Sequence, residues 1–255
     1  MDTSLETTSR SVFVRSLQLV WGLIATAATL LYTFGFGTIA IVLTLITRQP
    51  WPVDRLGVVW SRWILKACGI QVDVAGLERI DPKRCYVLIS NHASDFDIWA
   101  TLGALPMRVR FVAKKELLRV PVLGQALARS GHIVIDRSNP EDAIARINAR
   151  VASHVEDGFC ILFYAEGTRS PDGSVLPFKK GGVTLAMRTG LPIVPMSISG
   201  TRKFLPKRSM YIRPGGRIRI VLDEPIETTN YPVEQRDQLN ERVRNIVIKN
   251  YDPQC

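Results

Sequence analysis

The chain has 255 residues, a net charge of +10 and 46% apolar residues. This composition excludes a disordered protein, and the length suits one good-sized domain with an appendage. The positive charge indicates an anionic partner, namely nucleic acid, an anionic membrane surface or a phosphorylated substrate. Four scattered cysteines without a C-x-x-C pair predict neither a disulfide framework nor a zinc site.

The first distinctive stretch is the uncharged, apolar segment between Arg15 and Arg48. It is longer than the roughly 20 residues that a membrane-spanning helix needs, but too short for two full spans and a turn. Gly35 and Gly37 lie near its middle, so one long tilted helix and two short helices that dip into one leaflet both fit it. We therefore predict a membrane-anchoring segment at residues 1–50 and a separate domain at residues 51–255.

The next segment combines tryptophans with cations at helical spacing: Trp51, Arg55, Trp60, Arg62, Trp63 and Lys66. This pattern is typical of a helix in the lipid headgroup layer, and an amphipathic helix packed on its own domain is the alternative. Cations that follow an apolar segment favour a position of the domain on the cytoplasmic side of the membrane.

Downstream of Gln71, short apolar runs alternate with amphipathic stretches. The predicted strands are 72–74, 85–90, 108–113, 132–137, 159–164, 193–198 and 217–222. Helices are predicted between most of them, with a closing helix at about 232–249. This alternation predicts an α/β fold whose mostly parallel sheet is covered by helices on both faces.

The central motif is N-H-A-S-D-F-D at positions 91–97, directly after a predicted strand. Open α/β sheets bind ligands at the carboxyl ends of their strands. Asp97 can accept the imidazole N–H of His92 and fix its tautomer, which leaves the other ring nitrogen as a general base. In the alternative interpretation, Ser94 or Asp95 caps the following helix and the histidine only fills a loop.

A second motif, E-G-T-R-S at positions 166–170, follows the most strongly predicted strand. Backbone N–H groups at Gly167, the hydroxyl of Thr168 and the guanidinium of Arg169 are groups that hold phosphate. A plain surface turn is the alternative.

Two further cations, Lys114 and Arg137, also lie just past predicted strand ends. Since the carboxyl ends of parallel strands meet at one edge of a sheet, both could reach the edge that carries His92 and Arg169.

Together these motifs resemble the membrane-bound glycerolipid acyltransferases of the 1-acylglycerol-3-phosphate acyltransferase type. The resemblance covers about residues 72–226 and consists of four ordered blocks: 91–97 with the H-x-x-x-x-D signature, 131–137 preceded by 114–117, 166–170, and 191–195. One position departs from the family pattern. Ala165 replaces the proline that usually precedes the glutamate of the third block, which predicts a slightly looser loop.

The resemblance implies a glycerol-3-phosphate acyltransferase-like domain with a role for each block. His92 would take the proton of an acceptor hydroxyl while Asp97 orients its ring, and the alkoxide would attack the thioester of acyl-CoA or acyl-acyl carrier protein. Arg169 would bind the acceptor's phosphate, and Glu166, Gly167 and Thr168 would shape its loop. Pro195 and its neighbours would shape the wall of the acyl pocket. Lys114 and Arg137 would serve that phosphate or the phosphates of the acyl donor. No metal and no further cofactor is expected.

The implied reaction makes phosphatidic acid from 1-acylglycerol-3-phosphate. Two alternatives remain at this stage: the same chemistry on another lyso-lipid acceptor, and a non-catalytic lipid-binding protein. The cationic stretch at 202–219 contains no acidic residue and no nucleic-acid recognition motif. Anionic membrane lipids or a carrier protein are therefore the expected partners, and nucleic acid is not.

Overall fold

The structure is a computed structural model that describes residues 3–136 and 140–255. The described residues form eight α-helices around one seven-stranded sheet. The helices are α1 (Thr3–Thr47), α2 (Trp51–Ala67), α3 (Phe96–Ala104), α4 (Leu123–Arg129), α5 (Pro140–Glu156), α6 (Gly181–Thr189), α7 (Thr201–Phe204) and α8 (Arg236–Asn250). The strands are β1 (Ile70–Ala75), β2 (Val87–Ser90), β3 (Val109–Lys114), β4 (Ile133–Ile135), β5 (Cys160–Tyr164), β6 (Ile193–Ser199) and β7 (Gly216–Leu222).

The strands lie in the order β1-β7-β6-β2-β5-β3-β4, and every neighbouring pair is parallel except β6 and β7. β2 is buried along its whole length and β5 at all but its last residue. This burial on both faces explains why these strands appear in the sequence as uninterrupted apolar runs. The prediction of a mostly parallel sheet is confirmed.

Two apolar layers cover the sheet, one on each face. Val87 and Ile89 of β2 pack with α5, α6 and α8, whereas Leu88 between them packs with α2 and α3 on the opposite face. This alternation follows from the period of two along a strand. Helices on both faces were predicted, and the structure has them.

Several predicted boundaries differ from the observed ones, most by one or two residues, and two of them concern a predicted site residue and the closing helix. The strand predicted at 132–137 ends at Ile135, and Arg137 lies outside the described residues. The closing helix begins at Arg236 because a separate 3₁₀ turn, Val233–Gln235, precedes it.

α1 is one continuous helix of 45 residues, so its glycines do not divide it into two short helices. One of them allows close packing instead, because a Cβ atom on Gly37 would lie 2.5 Å from Cγ1 of Val122. The stretch Val14–Thr47 has a mean hydropathy of 2.0 and is long and apolar enough to cross a membrane.

α1 and α2 form an antiparallel helical hairpin. Trp21 Nε1 donates to the carbonyl of Ala67 at 3.1 Å, and Trp60 Nε1 donates to Thr33 Oγ1 at 3.1 Å. α2 also packs on the domain, where Arg62 Nε donates to the carbonyl of Gly103 at 2.9 Å. α2 thus packs on the domain, as the alternative interpretation predicts, and it also exposes apolar side chains such as Trp63. Its place in the headgroup layer stays a prediction.

A buried ion pair joins the start of α2 to the sheet. The guanidinium of Arg110 on β3 is 3% exposed, forms a two-point contact with Asp54 and lies over the ring of Phe159. Removal of one partner of such a pair leaves a buried charge without compensation.

We expect Arg110→Ala to lower the free energy of unfolding by about 2–3 kcal/mol, since it leaves Asp54 unpaired. Arg108→Ala is the matched control, because Arg108 also lies over Phe159 but is exposed, and it should cost less than about 1 kcal/mol. Urea unfolding in detergent measures both values. Equal losses in the two variants would show that the ion pair contributes nothing specific.

Candidate active site

The site lies where the connections after two neighbouring central strands diverge. β2 leads into α3 on one face of the sheet, and β5 leads, through an intervening loop, into α6 on the other face. Such a topological switch point leaves a crevice at the carboxyl ends of the strands. The loops 91–95 and 165–170 begin at this crevice.

The first loop is fixed to the rest of the domain by two polar side chains. Asn91 Nδ2 donates to the carbonyl of Ile198 at 2.9 Å, and the N–H of Ile198 donates back to Asn91 Oδ1 at 2.8 Å. Ser94 Oγ donates to the carbonyl of Leu205 at 2.8 Å. Both ends of the loop are therefore tied to neighbouring segments through buried bonds.

His92 and Asp97 form the predicted pair. Asp97 is fully buried, and its Oδ2 lies 2.7 Å from His92 Nδ1. The same oxygen accepts the backbone N–H groups of Ala93 and Ser94 at 2.7 and 2.9 Å. A carboxylate at Nδ1 fixes the proton there, so Nε2 carries the free lone pair. Within the described part of the chain, Nε2 has no hydrogen-bond partner.

The plane of the imidazole is set by an aromatic neighbour. The rings of His92 and Tyr164 stack with centroids 4.2 Å apart and an angle of 15°. Burial raises the pKa of Tyr164 well above its usual value, with a further contribution from Asp97. The phenol is therefore a neutral packing surface, and it lies within 3.5 Å of Thr101 Oγ1.

Three hydrogen bonds join the histidine loop to the E-G-T-R-S loop. The backbone N–H of His92 donates to Glu166 Oε1 at 2.9 Å, and the backbone N–H of Ser170 donates to the carbonyl of His92 at 2.8 Å. The third bond runs from Arg169 Nη1 to Asp95 Oδ2 at 2.5 Å. The predicted base and the predicted phosphate loop thus form one connected unit.

Glu166 is the buried acid of this unit. Burial raises its pKa to about 7, and the hydrogen bond from the N–H of His92 opposes that rise. Near neutral pH the carboxyl group is therefore only partly ionised, and the cations dominate the charge of the loop. Glu166 shapes the loop through its bond to the main chain of His92.

Ala165 joins the loop to neighbouring segments through two main-chain hydrogen bonds. Its N–H donates to the carbonyl of Ser90 at 2.9 Å, a bond that a proline could not make. Its carbonyl accepts the N–H of Lys179 at 2.7 Å. The alanine therefore adds a rung to the β2–β5 ladder. The slightly looser loop that the sequence predicts at this departure stays a prediction.

The remaining predicted residues have different surroundings. Lys114 is the last residue of β3, is exposed, and lies at the same edge of the sheet, with β5 between its strand and β2. Thr168 Oγ1 accepts Lys207 Nζ at 3.1 Å. Gly167 has φ +70°, a conformation that favours glycine. Arg137 cannot be placed in the site because it lies outside the described residues.

Sequence reasoning missed several residues of the site. Lys207 lies in the cationic stretch that was assigned to lipid or carrier-protein binding, yet its Nζ donates to the carbonyl of Arg169 at 2.8 Å. Lys179 lies against Gly167, where a Cβ would be 2.8 Å from its Cε. The sequence indicated Tyr164 only as the last residue of a strongly predicted strand, and Asp95 only as a possible cap of the following helix.

The two other histidines do not contribute to the site. His132 Nδ1 accepts the N–H of Phe111 at 3.2 Å, and burial lowers its pKa to about 3, with Arg110 as a further cause. Burial also lowers the pKa of His154. Both rings are therefore neutral at physiological pH and belong to the packing around Arg110.

Comparison with known proteins gives consistent matches. A family model described as Acyltransferase matches residues 71–199. A 1-acyl-sn-glycerol-3-phosphate acyltransferase from Limnanthes alba is 35% identical over 214 residues, which are 82% of this chain and 75% of that protein. The corresponding alpha enzyme from Mus musculus is 32% identical, over 71% of this chain and 63% of its own length.

A solved structure extends the match to the whole fold. The crystal structure of the 1-acyl-sn-glycerophosphate acyltransferase PlsC from Thermotoga maritima has a TM-score of 0.73 and 25% identity, and the match covers 92% of this chain and 95% of the other. The fold and the family match define an acyltransferase domain, and the His92–Asp97 pair lies at its crevice. The chain belongs to the 1-acyl-sn-glycerol-3-phosphate acyltransferase family.

We expect Ala165→Pro to destabilise the protein even though proline is usual in the family at this position. The change removes the N–H that satisfies the buried carbonyl of Ser90 and should cost about 1–2 kcal/mol. Thermal unfolding followed by circular dichroism measures the loss. Ala165→Gly keeps the N–H and should lose less, and a proline variant more stable than both would refute the role of this bond.

Proposed function

We propose that the protein transfers an acyl group from a thioester donor to the free hydroxyl of 1-acylglycerol-3-phosphate and so makes phosphatidic acid. The observation that carries this proposal is the direct connection of the His92–Asp97 pair to the loop of Arg169. One loop holds a base and the other holds cations for a phosphate. An acceptor that has both a hydroxyl and a phosphate matches this arrangement.

The chemical step follows from the tautomer of the histidine. Nε2 of His92 takes the proton of the acceptor hydroxyl as its oxygen attacks the thioester carbonyl. The tetrahedral intermediate then expels the thiolate, which takes the proton from the imidazolium. Asp97 stabilises that cation and keeps the ring oriented throughout. The thioester is already activated, so the reaction needs no further cofactor, and acyl-CoA and acyl-acyl carrier protein both supply it.

The phosphate of the acceptor is held by the second loop. The guanidinium of Arg169 can meet two phosphate oxygens at once, a geometry that lysine lacks. Lys207 and the exposed Lys114 add positive charge at the same edge of the sheet. A neutral acceptor would leave these cations without a partner, which disfavours it.

We expect His92→Ala to lower the turnover number for 1-acylglycerol-3-phosphate by about 10²- to 10⁴-fold, because the general base is lost. Asp97→Asn should also be impaired, since an amide no longer fixes the productive tautomer. Product formation from a thioester donor is measured with purified protein, and circular dichroism verifies the fold. Near-normal turnover in folded His92→Ala would refute the mechanism.

An acceptor panel separates this function from its alternatives. Wild-type protein should prefer 1-acylglycerol-3-phosphate to other lyso-phospholipids and to monoacylglycerol. A higher rate with another lyso-lipid would assign the same chemistry to that acceptor. Binding of the lipids without any product would identify a non-catalytic lipid-binding protein.

For the location of the protein, we propose that the α1–α2 hairpin holds the domain on the membrane from the cytoplasmic side. Exposed apolar side chains on α1, such as Leu31 and Ile46 at 69% and 72%, support a lipid contact. The exposed Trp51 and Trp63 and the cation Arg62 support a headgroup contact along α2. The cytoplasmic assignment rests on the cations that follow the apolar segment.

We expect the double substitution Ile24→Glu and Leu31→Glu to weaken the binding of purified protein to vesicles that contain anionic lipid. A carboxylate in the apolar interior of a bilayer costs about 2.5–3.5 kcal/mol per residue. Co-sedimentation with vesicles measures the bound fraction. Val233→Glu is the matched control, because Val233 is 74% exposed on the domain. An equal effect in control and double variant would exclude this face of α1 as the lipid contact.

A further inference from the structure

One of the three nitrogens of the Arg169 guanidinium, Nη1, is held by a hydrogen bond. This nitrogen donates to Asp95 Oδ2 at 2.5 Å, and neither Nε nor Nη2 has a partner among the described residues. The main chain at this position is also fixed, because Lys207 Nζ donates to the carbonyl of Arg169 at 2.8 Å. The main chain of Arg169 and one nitrogen of its guanidinium are thus both held by hydrogen bonds, although the side chain itself is long and flexible.

This arrangement leaves part of the cation available. A guanidinium presents five N–H groups in a fixed planar fork. Since Asp95 occupies only Nη1, the edge formed by Nε and Nη2 remains available for two oxygens of one phosphate. The contact with Asp95 and a bidentate phosphate contact can therefore exist at the same time.

The carboxylate of Asp95 is not explained by the helix that it precedes. It is the N-cap residue of α3 but makes no side-chain cap bond, and Ser94 Oγ accepts the N–H of Phe96 at 3.2 Å instead. The bond to Arg169 is the only hydrogen bond that the Asp95 side chain makes within the described residues.

We propose that Asp95 is a positioning residue that fixes Arg169 in its phosphate-binding conformation before the acceptor arrives. The inference rests on the proposed function, because it assigns Arg169 to the acceptor's phosphate. Arginine has many rotamers, and their loss on binding weakens the affinity for a ligand. Asp95 restricts these rotamers in the free protein, so the acceptor binds to a guanidinium that is already oriented.

The negative charge of Asp95 makes this proposal sharply testable. By Coulomb's law alone, a carboxylate near the site repels an anionic acceptor, so its removal would lower KM. The side chains of Arg169 and Asp95 are 29% and 44% exposed, and solvent and salt screen that repulsion. If Asp95 positions Arg169, the acceptor KM should change in the opposite direction and increase when the charge of Asp95 is removed.

The test is steady-state kinetics of purified Asp95→Asn with 1-acylglycerol-3-phosphate and a saturating thioester donor. We expect the acceptor KM to rise about fivefold, because the acceptor must then immobilise one additional side chain when it binds. The value of kcat should change less than about twofold. Asp95→Ser provides a second neutral variant, and Asp95→Glu should restore KM to within about twofold of wild type, since it restores the carboxylate. Glu234→Gln removes the same charge from an exposed turn and should leave KM unchanged.

A double-mutant cycle shows whether Asp95 acts through Arg169. In the Arg169→Ala background, the acceptor KM is already raised, and Asp95→Asn should change it no further. Three results would overturn the inference: a KM that falls or stays constant in both neutral variants, a rise that persists without Arg169, or a fall in kcat as large as the rise in KM.

These failures are distinct from a failure of the proposed function. If wild-type protein does not acylate 1-acylglycerol-3-phosphate, the proposed function falls before any variant is made, and the inference falls with it. If the wild type is active and both neutral variants, Asp95→Asn and Asp95→Ser, match it in acceptor KM, only the role of Asp95 is refuted.

Discussion

The buried carboxylate of Asp97 is the interaction on which the site depends. One oxygen accepts three N–H groups, from the ring of His92 and from the main chain of Ala93 and Ser94. A buried charge is tolerated only when hydrogen bonds compensate its lost hydration. The loop therefore curls around Asp97, and the contacts at Oδ2 that stabilise the carboxylate also fix the imidazole tautomer. The second oxygen, Oδ1, is buried and has no hydrogen-bond partner among the described residues. The local fold and the proposed catalytic role of His92 therefore depend on the same contacts.

The position of this loop in the sheet explains why the proposed base and the proposed phosphate-binding loop lie side by side. β2 and β5 are neighbours, and the helices that follow them cover opposite faces of the sheet. The crevice between their ends brings His92 beside the E-G-T-R-S loop, and the main chain of His92 is bonded on both sides, to Glu166 and to Ser170. The hydrogen bonds between the two loops fix the distance from the proposed base to the proposed phosphate site, and a reaction between a positioned hydroxyl and a thioester requires such a fixed distance.

A continuous path of packing leads from the hairpin to the site. α2 contacts α3 through Trp60 and Trp99, whose ring centroids are 6.1 Å apart, and through the bond from Arg62 to Gly103. α3 begins at Phe96, inside the N-H-A-S-D-F-D motif. The helix that exposes tryptophans to the surroundings thus packs directly on the helix that carries Asp97.

The sequence by itself determined the elements and the chemical candidates. Strand and helix periodicity, the uncharged segment of α1 and the spacing of His92 and Asp97 are local patterns, so they could be identified without coordinates. Only the tertiary structure decided the long-range contacts: Asp95 with Arg169, Lys207 with the same loop, and Tyr164 stacked on His92. These residues are far apart along the chain, and many strand-end or surface cations have the same local sequence. Which of them meet depends on strand order and on which face each connection covers, and no local pattern contains that information.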